Sequence, residues 1–253
     1  FIAIPIIKKH LRMDTSQVII NEERPQLTKH LATRFKEKIG QNVNLLGEVV
    51  LGNEEADHRY HHYLEALESP DINYISVKIS GIYAQTHALN YEESFPELVS
   101  RMSALYQKAI DFPYTDEDGI KRSKFINLDM EEYKDAHFTL RLFKAVLNLP
   151  QFKNYSAGIV VQAYLPDAYD FQTELLEFAK ARVDGGGAPI KMRLVKGCNL
   201  EMETVISSLK GWPNPIRPSK TEVDANYLCL LERGLMPENA RVLHLGVASH
   251  NLF

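Results

Sequence analysis

Ile190-Lys191-Met192-Arg193-Leu194-Val195-Lys196-Gly197 is the stretch that decides the fold. Its β-branched and apolar residues predict a strand, and its cations predict a polar turn at the end. Successive side chains of a strand point to opposite faces, so Met192 and Leu194 share one face while Arg193 and Val195 share the other. An arginine within an apolar strand is costly to bury without a partner. A polar ligand bound inside the fold would account for it, and so would a structural ion pair; this strand alone leaves both readings open. Five further strands repeat the design, which favours a ligand.

Around that strand the chain alternates. Strands are expected at Val43 to Val50, Tyr74 to Ser80, Phe125 to Met130, Gly158 to Tyr164 and Arg241 to Ala248. Helices are expected near Glu54 to Glu68, Glu93 to Ile110, Ala136 to Leu147, Asp170 to Arg182, Glu201 to Leu209 and Glu222 to Glu232. Thr115 to Ser123 reads as a polar excursion, Gly185-Gly186-Gly187 as a stop, and Trp212 to Pro218 as a proline-broken loop. Upstream, Pro25 to Ile39 reads as a helix with Leu27, Leu31 and Phe35 on one face, and residues 1–23 carry no strong pattern. The expected division is an N-terminal arm and helix at 1–40 and one α/β unit at 41–253.

The two faces of the strands separate the architectures open to repeated βα units. One set is almost wholly apolar: Val43 and Leu45; Ile75, Val77 and Ile79; Ile126 and Leu128; Ile159, Val161 and Ala163; Met192 and Leu194; Leu243, Leu245 and Val247. The other is polar in all six strands: Asn44 and Glu48; Ser76, Lys78 and Ser80; Asn127 and Asp129; Gln162 and Tyr164; Arg193; His244 and His250. A doubly wound sheet meets helices on both faces and needs both apolar. One apolar and one polar face predict a TIM-type (β/α)8 barrel whose lumen and upper rim take a ligand. Only about six βα units are present, so the sequence is expected to be part of a longer barrel whose C-terminal units are missing. The opening on Phe1 instead of Met likewise implies a segment upstream.

Composition narrows the function. The 253 residues are 45% hydrophobic and 25% charged, ordinary for a globular domain. A net charge of −4 without a basic block argues against nucleic acid. Cys198 and Cys229 make no disulfide framework, which fits a reducing compartment. No apolar run approaches the roughly 18 residues of a membrane span.

The polar face offers Lys78, Lys196, Arg193, Asp129, Glu48, Gln162 and His250. One histidine and one or two carboxylates near the rim make a poor metal site. His58-Arg59-Tyr60-His61-His62 falls mid-helix among charges and reads as a solvated helix face. No glycine-rich phosphate loop follows a strand. A Schiff-base chemistry on Lys78 or Lys196 remains open. A flavin would also use this inventory, because cations and amides around its ring tune its potential and lysines suit its phosphates.

The series Val43-Asn44-Leu45-Leu46-Gly47-Glu48, Ile75-Ser76-Val77-Lys78-Ile79-Ser80, Asn127-Leu128-Asp129-Met130-Glu131-Glu132-Tyr133, Val161-Gln162-Ala163-Tyr164, Arg193-Leu194-Val195-Lys196-Gly197 and Ala248-Ser249-His250-Asn251 resembles the proline dehydrogenase family. It is most similar to the proline dehydrogenase domain of the bifunctional proline utilization A proteins. The resemblance runs from about Met13 to the last residue. It implies an FAD-containing barrel that oxidises L-proline to Δ1-pyrroline-5-carboxylate, with hydride passing from proline C5 to flavin N5 and electrons going on to a membrane quinone. Under it, Lys78, Asp129 and Arg193 are the catalytic set, with Lys78 towards the proline carboxylate and Asp129 ordering the polar cluster. Arg193 would hydrogen-bond near flavin N5 and Gln162 would meet the ring. Lys196 and His250 would hold the ribityl–pyrophosphate and adenylate side, with Asp129, Gly197, Ser249 and Asn251 completing the cofactor set. A following pyrroline-5-carboxylate dehydrogenase domain, a homo-oligomer, and a cytoplasmic location at the inner face of a bacterial membrane are further expectations of the resemblance.

Two departures qualify it. Cys198-Asn199-Leu200-Glu201 stands where many members have Ala-Tyr-Trp-Asp, so an aromatic pair is missing, and Cys198 reads as a small packing residue. In the family the last helix brings an arginine pair and a tyrosine that close the substrate site, and none of these is among the 253 residues. A Schiff-base aldolase on the same barrel and a flavin-free packing domain are the rival readings.

Overall fold

The computed structural model describes residues 3–15, 20, 24–45, 50, 52–84, 86 and 88–249. Contacts divide the chain into Phe1–Asn42 and Val43–Phe253. The first unit holds α1 (Ala3–Thr15) and α2 (Arg24–Lys36). Helix α1 falls where the sequence pattern was weak. Its signal is present but short: Pro5 stands in the first turn, where a missing N–H costs little, and Ile4, Ile7 and Leu11 recur at helical spacing.

The second unit runs β1 (Val43–Asn44), α3 (Asn53–Glu68), β2 (Tyr74–Lys78), α4 (Ile79–Ile82), α5 (Tyr91–Asp111), β3 (Tyr114–Thr115), β4 (Lys121–Arg122), β5 (Phe125–Asp129) and α6 (Ala136–Leu147). It continues through β6 (Gly158–Gln162), α7 (Ala168–Asp184), β7 (Ile190–Val195), α8 (Leu200–Lys210), α9 (Lys220–Leu235), α10 (Pro237–Ala240) and β8 (Leu243–Val247). Six strands form one parallel sheet in the order β1-β2-β5-β6-β7-β8. Each strand lies beside the next one in sequence. That is the winding of a β/α barrel, whereas a doubly wound sheet reverses its strand order part-way. Among the described residues the sheet does not close.

The register carries the two faces through the sheet. Val77, Leu128, Ile159, Met192 and Leu245 fall in one row on the helix-covered side. Apart from Leu245, all of that row is buried, as are Leu98, Met102 and Leu105 of α5 and Leu140, Phe143 and Leu147 of α6. The opposite rows face the lumen. The lower row is Asn44, Ser76, Asn127, Gly158, Lys191 and His244. Above it lie Lys78 beside Asp129, and Val160 beside Arg193 and Gly246.

Three details depart from the sequence reading. Strand β2 stops at Lys78, and Ile79 and Ser80 open the helical turn α4. Strand β6 stops at Gln162, so Tyr164 lies past it. The inward face also holds Val160, Val195 and Gly158, and is less uniformly polar than expected, because layers of a barrel interior must interlock by size. A Cβ at Gly158 would stand 2.6 Å from Asn127 Oδ1 and 3.0 Å from the Phe125 ring. The polar excursion is an antiparallel hairpin of β3 and β4, whose turn is tied by Asp116 Oδ1 accepting from the N–H of Asp118 and Ile120. Glu48 lies outside the described residues.

Two cations fasten the lower end. Arg182, at the end of α7, donates to the carbonyls of Ala188, Leu147, Phe152, Lys153 and Tyr155, which pins the loop leading into β6. Lys124, one residue before β5, is 2% exposed and donates from Nζ to Ser69 O at 2.5 Å. Burial pulls its ammonium down from 10.5 to about 8, with Asp71 opposing. Between those two values the unfolded chain holds the proton that the folded chain has released, so stability rises with pH there. We expect the melting temperature of the protein to rise relative to that of Lys124→Met between pH 8 and pH 10.5. Parallel curves over that window would show that Lys124 keeps its proton in the fold.

Candidate functional site

The upper ends of the strands converge on a cavity of about 910 Å³, at the upper end of the range typical of small-molecule sites. Lys78, Asp129, Gln162, Arg193, Lys196, Gly197 and Ser249 all line it. His250 and Asn251 lie outside the described residues. The described candidates come from five strand ends that are far apart in sequence, and the parallel winding alone brings them together.

At its centre Arg193 Nη2 lies 2.5 Å from Asp129 Oδ1, and Nη1 donates to Ser76 Oγ at 3.3 Å. Asn127 Nδ2 also donates to Asp129 Oδ1, at 2.7 Å. Burial pushes the Asp129 carboxyl above the usual carboxylate range, against the pull of Arg193, Asn127, Ser76 and Lys78. Both sequence readings of Arg193 therefore meet in one place, since it has an ion-pair partner and also lines the cavity. Lys78 Nζ pairs with Glu131 Oε1 at 2.9 Å.

Gln162 is fully buried, and its Nε2 donates to Met130 O at 3.1 Å and Glu131 O at 3.3 Å. Two carbonyl partners fix which end of the amide is nitrogen. Its Oε1 is buried without a hydrogen-bond partner among the described residues. A buried acceptor left unpaired is costly, so a donor from a bound molecule is the natural completion. Cys198 Sγ lies 3.5 Å from Gln162 Nε2, and burial pushes its thiol up, away from the reactive thiolate.

Towards α9 a second cavity, of about 370 Å³, shares Lys196 and Gly197 with the first and adds Tyr164, Arg217, Ser219 and Lys220. Lys196 Nζ lies 2.5 Å from Asp224 Oδ1, and Lys220 Nζ lies 2.5 Å from Oδ2. The two lysines hold the Asp224 carboxyl below its ordinary range, Lys196 first. Asp224 was missed by the sequence reading, as were Lys220 and Glu131. For Glu131 a signal existed, because it follows Asp129 by two residues and keeps the same alternation. For Asp224 none did.

Gly197 turns the chain between the two cavities. Its φ of 152° suits glycine, and a Cβ there would stand 2.5 Å from the Tyr164 ring. The ring is held in turn, since Tyr164 N donates to Lys196 O and Tyr164 O accepts from Arg217 N, each at 2.8 Å.

Residues 27–253 match the model of the proline dehydrogenase family. The chain belongs to the proline dehydrogenase family. Proline utilization A (PutA) from Corynebacterium freiburgense superimposes with a TM-score of 0.87 and 41% identity, over 95% of this chain and 24% of that one. PutA from Bdellovibrio bacteriovorus, in a form inactivated by N-propargylglycine, gives 0.82 and 30%, over 98% and 26%. A mutant PutA from Bradyrhizobium japonicum shares the fold at 0.70, with 24% identity. The chain thus spans about a quarter of the length of these proteins. No curated protein matches it. No helix among the described residues is long and apolar enough to cross a membrane.

Membership makes Gly197 a test of the geometry in a proline dehydrogenase domain. Gly197→Ala should destabilise the fold by about 3 kcal/mol, from backbone strain and overpacking together. In a Tyr164→Ala background the same substitution should cost visibly less, by denaturant titration. Equal costs in both backgrounds would show that the ring does not set the requirement for glycine.

Proposed function

We propose that this domain binds FAD across the two joined cavities and oxidises L-proline to Δ1-pyrroline-5-carboxylate. Membership of the family supports proline oxidation, and the inactivated PutA relative supports the same chemistry by likeness. The observation that carries the cofactor reading is Gln162 in the cavity lining, fully buried and with its Oε1 unpaired among the described residues. The pyrimidine edge of a flavin ring bears an N–H donor of the kind such an acceptor lacks.

In this reading Gln162 and Arg193 hold the ring, and Arg193 does so while Asp129 and Ser76 fix its guanidinium. Lys196, Gly197 and Ser249 serve the ribityl and phosphate side, and the same side is proposed for His250 and Asn251, which lie outside the described residues. The basic residues Arg217 and Lys220 of the smaller cavity extend that side. FAD held by these residues would supply the two-electron oxidant for the C5–H bond of proline. The protein's own part is to hold the two reacting atoms in contact and to exclude water. Lys78 points its ammonium at the proline carboxylate, a charge-assisted contact. Asp129 orients Arg193 and takes no proton. Lys78 stands in an ion pair, an arrangement suited to binding an anion and not to attacking a carbonyl, which disfavours the Schiff-base reading.

Electrons then pass to a quinone. A second dehydrogenase domain fits the length of the PutA relatives, of which this chain spans about a quarter, and a cytoplasmic position peripheral at the membrane is proposed with it from the family resemblance alone.

The direct test is the visible spectrum of the purified protein before and after anaerobic L-proline. Flavin bands that bleach on addition are expected. A protein that stays colourless when supplied with FAD would refute the cofactor. Within a yellow protein, Arg193→Met should shift the flavin reduction potential, because it removes a cation at the ring. An unchanged potential would remove Arg193 from that role.

A further inference from the structure

The register of the sheet places Lys78 directly beside Asp129, the nearest carboxylate along the row. Yet its ion-pair partner is Glu131, two residues further on. Asp129 is already engaged by Arg193 and Asn127. The Lys78 ammonium is thereby drawn up from the lumen towards the rim, where its side chain is 36% exposed.

Glu131 is itself held from two sides. Its second carboxylate oxygen accepts from the Ser80 hydroxyl, on the helical turn that follows β2. Its backbone carbonyl accepts from Gln162 Nε2 at 3.3 Å. The chain of contacts Ser80–Glu131–Lys78 therefore closes on itself within three residues of β2 and its turn. A lysine side chain has many rotamers, and fixing one of them before the substrate arrives spares that entropy at binding.

We propose that Glu131 is a positioning residue that aims Lys78 at the substrate carboxylate. The inference rests on the reading of Lys78 given above, and deepens it. Glu131 lines the same cavity, and in this proposal it acts through Lys78, on one charge contact of the ground state and the transition state alike. Such an effect moves KM and leaves kcat in place.

The test uses the flavin-loaded full-length protein, with L-proline and with pyrrolidine, which is proline without its carboxylate, as substrate or competitive inhibitor. Glu131→Ala should raise the KM for L-proline about tenfold, leave kcat within about twofold, and leave pyrrolidine unaffected. Glu131→Gln, which keeps a contact to Ser80, should restore part of the loss. In a Lys78→Ala background Glu131→Ala should add nothing. Should Glu131→Ala not fold, Ser80→Ala must show the same KM-only effect in smaller measure. Equal losses with both amines, or additive losses with Lys78→Ala, would overturn the proposal. The two layers separate cleanly. If Lys78→Ala leaves the preference for proline over pyrrolidine intact, the role of Lys78 fails and Glu131 falls with it. If Lys78→Ala abolishes that preference while Glu131→Ala and Ser80→Ala do not, only the role of Glu131 fails.

Discussion

A guanidinium and a carboxylate 2.5 Å apart, inside a sheet whose other face is apolar, constrain most of what the second unit can be. Arg193 on β7 reaches Asp129 on β5 and Ser76 on β2, so its side chain passes over β6. The residue of β6 level with it is Val160, which offers no polar group to intercept it. Removing two charges from water is expensive, and one ion pair with two further hydrogen bonds offsets only part of that cost. The raised affinity of Asp129 for its proton expresses the remainder. A pair so placed is poor evidence for stability. It is better evidence for a site, because it presents a fixed cation to a cavity without leaving that cation unbalanced.

The same logic orders the charges around it. Lys78 and Arg193 face Asp129 and Glu131, and each cation takes a different carboxylate. Lys196 and Lys220 share Asp224 at the neighbouring cavity. No cation among these relies on solvent alone, yet Lys78, Lys196 and Lys220 keep part of their side chains exposed and have donors to spare. Ammonium and guanidinium groups in that state bind an incoming anion by adding a contact and without having to leave the old partner. Among the described residues no group of three histidine, cysteine or carboxylate side chains comes together.

The faces of the strands were legible because a parallel barrel imposes period-two alternation locally, and apolar residues on one side of Ile75 to Lys78, Phe125 to Asp129 and Ile190 to Val195 report it directly. Strand neighbours followed from the order of the units. What the sequence could not disclose is which carboxylate each cation takes. Lys196 and Asp224 are 28 positions apart, and only the seating of α9 against the end of β7 brings them together. The end of β2 was misplaced for a local reason, since Ile79 continues the apolar alternation although its backbone has already turned helical. Helix α1 was overlooked because its repeat is short and its charges are clustered.

Helix α8 shows how a polar contact can override a hydrophobic pattern. Its apolar residues Met202, Val205 and Leu209 recur at helical spacing and would be assigned to the core. They are exposed instead, and the buried positions are Glu203 and Ser207. The Glu203 carboxylate accepts the N–H of Tyr133 at 2.7 Å, in the loop after β5, and burial raises its proton affinity. The first turn of α8 follows directly on Gly197, Cys198 and Asn199, all of which line the larger cavity. Turning the helix to bury its apolar stripe would pull Glu203 away from β5 and swing that turn out of the site. One carboxylate thus couples the rim of β5 to the rim of β7, and the orientation of α8 is set by the needs of the cavity and not by its own amphipathic pattern.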